Sequence, residues 1–327
     1  MHIPEGFINL PTSLGAAAVA GGSVWGSLRA ASRDLKDRLV PFAGLTAAFI
    51  FALQMLNFPV AAGTTGHLLG GALAAILLGP WLGIVAVTVV VVIQALLFAD
   101  GGLVAMGLNI VNMAVITALV GWYVFRGVVK VMPRRSGLLV GSLAAAWASV
   151  VVSSIGFSLQ YAIGGVGGVD PILVVRSMVG VHGVIGIGEG LITAAAVGAV
   201  LAARPDLVTG TRGIDDLETA TTSLSRKAIG GFVGAGLAVA VALVVFVAPL
   251  AGSAPDGLVR VAEETGFAAA AADNAYSGPL AGYGVAGLDN EMLGTIIAGV
   301  VGTGLTFAAG MILVGVVRRR SHHAGAA

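Results

Sequence analysis

The chain contains no cysteine. That excludes disulfides and every metal site built on thiolates. Charged residues make up only 10% of its 327 positions, against 57% hydrophobic ones. Soluble domains carry about 25% charged residues, so a soluble globular protein is excluded. Aromatic residues are scarce as well, at 6%, which argues against a large aromatic-lined pocket for a vitamin or another organic substrate. There is no G-x-x-x-x-G-K-[ST] phosphate loop, so ATP hydrolysis is not expected from this chain. The absence of H-E-x-x-H argues against an intramembrane metalloprotease of that type. Nothing points to nucleic acid. Gly186, Gly188 and Gly190 mimic part of a nucleotide-binding fingerprint, but they lie in mid-span, where small-residue helix packing explains them.

What the sequence has is long apolar runs with few charges, and mean hydropathy is +0.99. The expected class is an all-α polytopic membrane protein. The runs read as nine spans, near 11–28, 39–57, 66–79, 81–98, 103–125, 137–162, 177–203, 229–250 and 291–317. Gly79-Pro80 divides the third from the fourth, because proline disfavours helix at the residue before it. The polar stretch 204–228 reads as a linker between a seven-helix module, 1–203, and a two-helix module, 229–317. The second module has a polar loop at 251–290, and the chain closes in a tail, 318–327.

Basic residues set the orientation. With the N-terminus outside, inward segments hold fifteen of the seventeen, and only Arg176 and Arg260 fall outside. No Lys or Arg precedes Arg29, so a cleaved signal peptide is not expected. The linker and tail then lie in the cytoplasm. Glu5, Asp100, Asp170, Asp256, Glu263, Glu264, Asp273, Asp289 and Glu291 gather on or near the outer side. Such a face raises the local concentration of divalent cations, and it equally serves ordinary solvation.

The first residues, Met1-His2-Ile3-Pro4-Glu5-Gly6-Phe7, carry the most specific chemistry. A free terminal amine, the His2 peptide nitrogen and His2 Nδ1 form two fused chelate rings on one ion. Three nitrogens then lie in a plane with one position open, an arrangement suited to Ni(II) or Cu(II). His67, at the start of the third span after a Gly/Thr turn, is the expected fourth ligand. Alone, a histidine at a helix start is more often an interfacial residue. Binding is expected to release protons, because amine, amide and imidazoles must all be deprotonated. His182 and Glu189, seven residues apart on one helix face, form either a second ion station or a structural pair locking spans together. Gln54, Gln94, Asn109 and Asn112 are further buried polar candidates, and interhelical hydrogen bonds account for most such residues.

Several blocks resemble the NikM/CbiM family, the substrate-capture (S) components of nickel and cobalt energy-coupling-factor (ECF) transporters. They are the first seven residues, Gly-Thr-Thr-Gly-His-Leu-Leu-Gly-Gly over 63–71, Gln94 to Gly102, Asn109-x-x-Asn112-Met113, and Gly188-Glu-Gly-Leu-Ile-Thr193. The last has Gly190 where alanine is more usual. The second module resembles the NikN-type PDGLE domain, through Pro255-Asp256-Gly257-Leu258, Ser277 to Tyr283 and Gly287 to Glu291, with Val259 in place of the expected glutamate.

The resemblance implies a natural fusion working in a prokaryotic plasma membrane. It also implies metal ligation by Met1, His2 and His67, with Glu5, Gln94, Asn109, Asn112, His182 and Glu189 behind them or along an ion path. It implies a coupling subunit (EcfT-like), two ATPase subunits (EcfA-like) and no cofactor beyond the transported Ni(II) or Co(II). The module is expected to topple in the membrane during transport. The NikN-like second part tilts the reading to nickel, with cobalt uptake for cobalamin synthesis as runner-up. An intramembrane metal enzyme using His182 and Glu189 is the reading from a different class.

Overall fold

The computed structural model describes residues 1–33, 35, 37–60, 63–212 and 226–324. Most of the expected linker, 213–225, and the end of the tail, 325–327, lie outside the described residues.

The apolar runs become helices in the expected order. They are α1 (Leu10–Ala31), α2 (Leu39–Gln54), α3 (Gly71–Leu78), α4 (Pro80–Phe98), α5 (Met106–Val131), α6 (Arg135–Gly164), α7 (Pro171–Ala203), α8 (Ala228–Leu250) and α10 (Glu291–Ala324). Among the described residues, six are long and apolar enough to cross a membrane: α4, α5, α6, α7, α8, and α10 over Glu291–Arg319. Local signals set the ends. Asn9 caps α1 by accepting from Thr12 N, and Asp170 caps α7 ahead of Pro171. Gly79, at φ 86°, ends α3 with a backbone that favours glycine, and Pro80 starts α4.

The expected third span, 66–79, needs correction. Its helix covers only the eight residues of α3, about 12 Å at 1.5 Å per residue, against a hydrocarbon core of about 30 Å. Residues 67–70 are not helical. His67 therefore does not open a helix; it sits on a buried extended segment before α3. That segment follows a short hairpin, β1 (Phe58–Pro59) against β2 (Thr65–Gly66). Hydropathy could not register this, because the backbone donors of the segment are satisfied by a side chain 119 or 120 residues further on.

The second module packs on the first. α10 lies along α2, and α8 packs against α2 as well. The loop between them folds over one end of the bundle and contains an unexpected helix, α9 (Gly257–Thr265). α9 buries Leu258, Val261 and Ala262 against α7. Residues 204–212 of the expected linker also pack on the bundle. Leu207 and Val208 are buried, and Arg126 donates to the carbonyls of Gly210 and Arg212.

Candidate metal site

The N-terminus is threaded into the protein. Met1, Ile3, Glu5, Phe7 and Ile8 are all buried. Asn9 N donates to Gly164 O at 2.7 Å, and Val166 N donates to Phe7 O at 3.0 Å, so the segment adds itself to the end of α6. Phe7 sets its ring edge-on against Phe267 from the second module. Gly6 has φ +91°, and a Cβ there would meet Ala270 O at 2.2 Å. A side chain at position 6 is excluded twice over.

Polar side chains fix the same strand. Asn109 accepts from Ile3 N at 2.7 Å and donates to Ile3 O at 3.2 Å. Glu5 accepts from Val104 N at 3.0 Å and from Ala275 N at 2.8 Å. Both oxygens of Glu5 are thus spent on backbone, and the residue ties the N-terminus to the second module.

Two donors meet at the end of this segment, and the His2 ring lies beside them. The Met1 amine makes a short contact with His67 Nε2. His67 Nδ1 donates to Leu68 O at 3.0 Å. That bond selects the tautomer whose Nε2 lone pair is free and aimed at the amine. Burial, and then the terminal ammonium, lower the His67 pKa, with Asp256 opposing. The His2 ring stacks on His67, centroids 5.1 Å apart and planes 10° from parallel.

Asp256 is the residue the sequence reading missed. Its Oδ1 caps α9, accepting from Leu258 N at 3.0 Å and Val259 N at 2.9 Å. Its Oδ2 lies 3.3 Å from the Met1 amine and 3.6 Å from His67 Nε2. Burial pushes the Asp256 carboxyl up, yet the terminal ammonium and His67 outweigh it and hold the group well below the usual carboxylate range. Asp256 appears in the sequence only as one outer-loop carboxylate among many. The signal that could have found it is its place at the centre of the Pro255–Leu258 block.

Asp100 and Tyr283 were also missed. Asp100 Oδ1 lies 3.0 Å from His2 Nδ1, and His2 Nε2 lies 3.2 Å from Gln94 Oε1. Tyr283 donates to Asp100 Oδ2 at 2.7 Å and accepts from Gln94 Nε2 at 3.3 Å. Burial would raise the Asp100 carboxyl. The adjacent His2, with hydrogen bonds from His2 and Tyr283, outweighs it and holds the group at about 2. The Tyr283 phenol is pushed well above its ordinary value by burial and by Asp100, and so keeps the proton it donates.

The remaining candidates lie behind these groups or apart from them. Glu189, fully buried on α7, accepts from Leu69 N at 2.8 Å and Gly70 N at 3.0 Å. Gln54 donates to Leu69 O at 2.9 Å. Together they hold the segment that carries His67. Glu189→Ala leaves two buried N–H groups without an acceptor. It is expected to cost about 2–5 kcal/mol of stability and to weaken metal binding about 10- to 100-fold. Thermal unfolding and metal titration of the variant check both. His182 donates from Nδ1 to Met178 O at 2.9 Å and lines a small cavity of about 10 Å³ with Met1, His67 and Asp256. Asn112 stands apart from the site; it donates to Gln160 on α6 at 2.7 Å.

Beside the donors a cavity of about 830 Å³ opens between the two modules, lined by His2, His67, Asp100, Asp256, Tyr283 and Glu291 among others. Among the described residues, no group of three or more His, Asp or Glu side chains is arranged to hold a metal ion by itself. The Met1 amine lies against the His67 imidazole beside this cavity.

Residues 2–207 match the CbiM family, described as the cobalt uptake substrate-specific transmembrane region, and residues 230–319 match the PDGLE domain. A protein of Archaeoglobus fulgidus, provisionally named a fused nickel transport protein NikMN, is 36% identical over 96% of this chain and 98% of its own length. The cobalt transport protein CbiM of Geobacter sulfurreducens is 34% identical over 64% of this chain and 61% of its own. A crystal structure of a truncated transition metal transporter superposes with a TM-score of 0.54 at 29% identity, covering 62% of this chain and 99% of that one.

Proposed function

Because this chain belongs to the CbiM family of metal-uptake membrane proteins, with a PDGLE domain fused behind the CbiM region, we propose that it captures Ni(II) or Co(II) for an ATP-driven ECF-type importer. The chain is a multi-pass membrane transport protein, not an enzyme. Its ligands in this reading are the Met1 amine, the His2 peptide nitrogen, the His2 imidazole and the His67 imidazole.

The observation that carries the reading is the convergence of the buried Met1 amine on His67 Nε2, whose lone pair is freed by the bond from Nδ1 to Leu68. His2 Nδ1 faces Asp100 in this conformation. In this reading the ring turns about Cβ–Cγ on binding, so that Nδ1 joins the planar set. Planar nitrogen donors favour Ni(II) over Co(II), so nickel is the preferred cargo and cobalt the second reading. The basic-residue asymmetry supports a site facing outward. A coupling subunit and two ATPase subunits on separate chains supply the energy, since this chain has no phosphate loop.

The test is radioactive nickel uptake by cells expressing the chain with its coupling and ATPase subunits. Uptake is expected to require all of them and to be suppressed more by unlabelled Ni(II) than by Co(II). Uptake that persists with an inactive ATPase contradicts the importer reading.

A further inference from the structure

Four side chains close a hydrogen-bonded ring beside the metal site: His2, Asp100, Tyr283 and Gln94. The links are 3.0 Å (His2–Asp100), 2.7 Å (Asp100–Tyr283), 3.3 Å (Tyr283–Gln94) and 3.2 Å (Gln94–His2). Three of these residues come from the first module; Tyr283 comes from the loop of the second. We propose that the Tyr283 hydroxyl is a positioning group for the metal site, holding Asp100 where it orients the His2 imidazole as a ligand. The proposal rests on the metal-capture reading above and deepens it.

Two independent observations support it. Tyr283 sits at φ +59° and follows Gly282 at φ +63°. A tyrosine in the left-handed region carries a conformational cost, and such residues persist where their surroundings over-determine them. Here the surroundings are a stack on Phe98, with centroids 4.8 Å apart, and the two polar links. The strained backbone delivers one hydroxyl to one carboxylate.

The second observation is the geometry of the histidine ring itself. A half-turn about Cβ–Cγ exchanges Nδ1 with Cδ2 and puts Nε2 where Cε1 was. That point lies between the atoms now facing Asp100 and Gln94. After the turn that frees Nδ1 for the ion, the Nε2–H faces the gap between Asp100 and Gln94, and in this proposal a tilt of the ring gives it to Asp100. Metal-bound histidines regularly donate their other ring N–H to a carboxylate, which fixes the ring and raises its basicity. Asp100 fills that place only if its own orientation is fixed. Its second oxygen is held by Tyr283, and through that bond the second module reaches the chelate without touching the ion.

The test is Ni(II) titration of the full-length chain with its native N-terminus. Wild type is compared with Tyr283→Phe, Asp100→Asn and the double variant, and thermal unfolding of each metal-free protein is followed in parallel. Tyr283→Phe keeps the ring and its stack and removes only the hydroxyl. Its affinity is expected to fall about 10- to 100-fold while its unfolding midpoint stays close to wild type. The double variant is expected to bind no more weakly than Asp100→Asn alone, because both changes break one chain of contacts. The visible absorption bands of the Ni(II) complex are expected to shift in both single variants. Wild-type affinity in Tyr283→Phe, or losses that add in the double variant, overturns the proposal and leaves the capture reading standing. Absence of tight Ni(II) binding by the wild-type chain overturns the capture reading and this proposal with it.

Discussion

Adding two residues ahead of Met1 is expected to weaken Ni(II) binding at least about a thousandfold, or roughly 4 kcal/mol, without unfolding the protein. Extension turns the primary amine into a peptide nitrogen and moves the new amine out of the pocket. Two residues are added rather than one, because a single one would put histidine third from the new amine, where amine, two peptide nitrogens and imidazole chelate Ni(II) by themselves. Nor is the terminus open to solvent. Met1 is 3% exposed, and its nitrogen lies between His67 Nε2 and Asp256 Oδ2. The bonds that fix the strand further in, from Ile3 to Asn109 and from Asn9 to Gly164, do not involve the amine. Calorimetry of the native and extended chains reads the effect. Equal affinities would show that the amine is not a ligand.

The second large effect is expected from His67→Ala, which should lower Ni(II) affinity by about two to three orders of magnitude, roughly 3–4 kcal/mol, and leave the unfolding midpoint within a few degrees of wild type. The fold does not depend on this side chain. Its segment is held by Glu189 on Leu69 and Gly70 and by Gln54 on Leu69. The bond from His67 Nδ1 to Leu68 O serves the imidazole, not the backbone. Titration and thermal unfolding of the one variant separate the roles. Intact binding would remove His67 from the ligand set, and loss of folding with binding would make it structural.

These effects were legible in the sequence to different degrees, and the reason is where the information lies. Met1 and His2 could be proposed as ligands from the sequence because fused chelate rings are local chemistry, set by the covalent spacing of amine, amide and imidazole. His67 was readable from its turn and from the side of the bundle it shares with His2. The long spans were readable because a run of apolar residues of the right length has few other solutions. What was not readable depends on contacts between distant parts of the chain. The eight-residue α3 and the bare segment before it exist because Glu189, far along the chain, supplies the acceptors a longer helix would have supplied itself. Asp256 and Tyr283 belong to the polar loop 251–290, and carboxylates and phenols in such loops usually face water. Only the folding of that loop over the N-terminus gives them their partners. The helix α9 did leave a local trace, in the cap at Asp256 and the helical spacing of Leu258, Val261 and Ala262.

The account stands on one claim, that the Met1 amine, the His2 peptide nitrogen and two imidazoles close a plane around the ion. X-ray absorption at the nickel edge of the loaded native chain tests it most directly. The account predicts four nitrogen donors in a square plane, two of them with the multiple-scattering signature of imidazole rings. A six-coordinate shell rich in oxygen would contradict it and move the ion to the carboxylate-lined cavity beside the site.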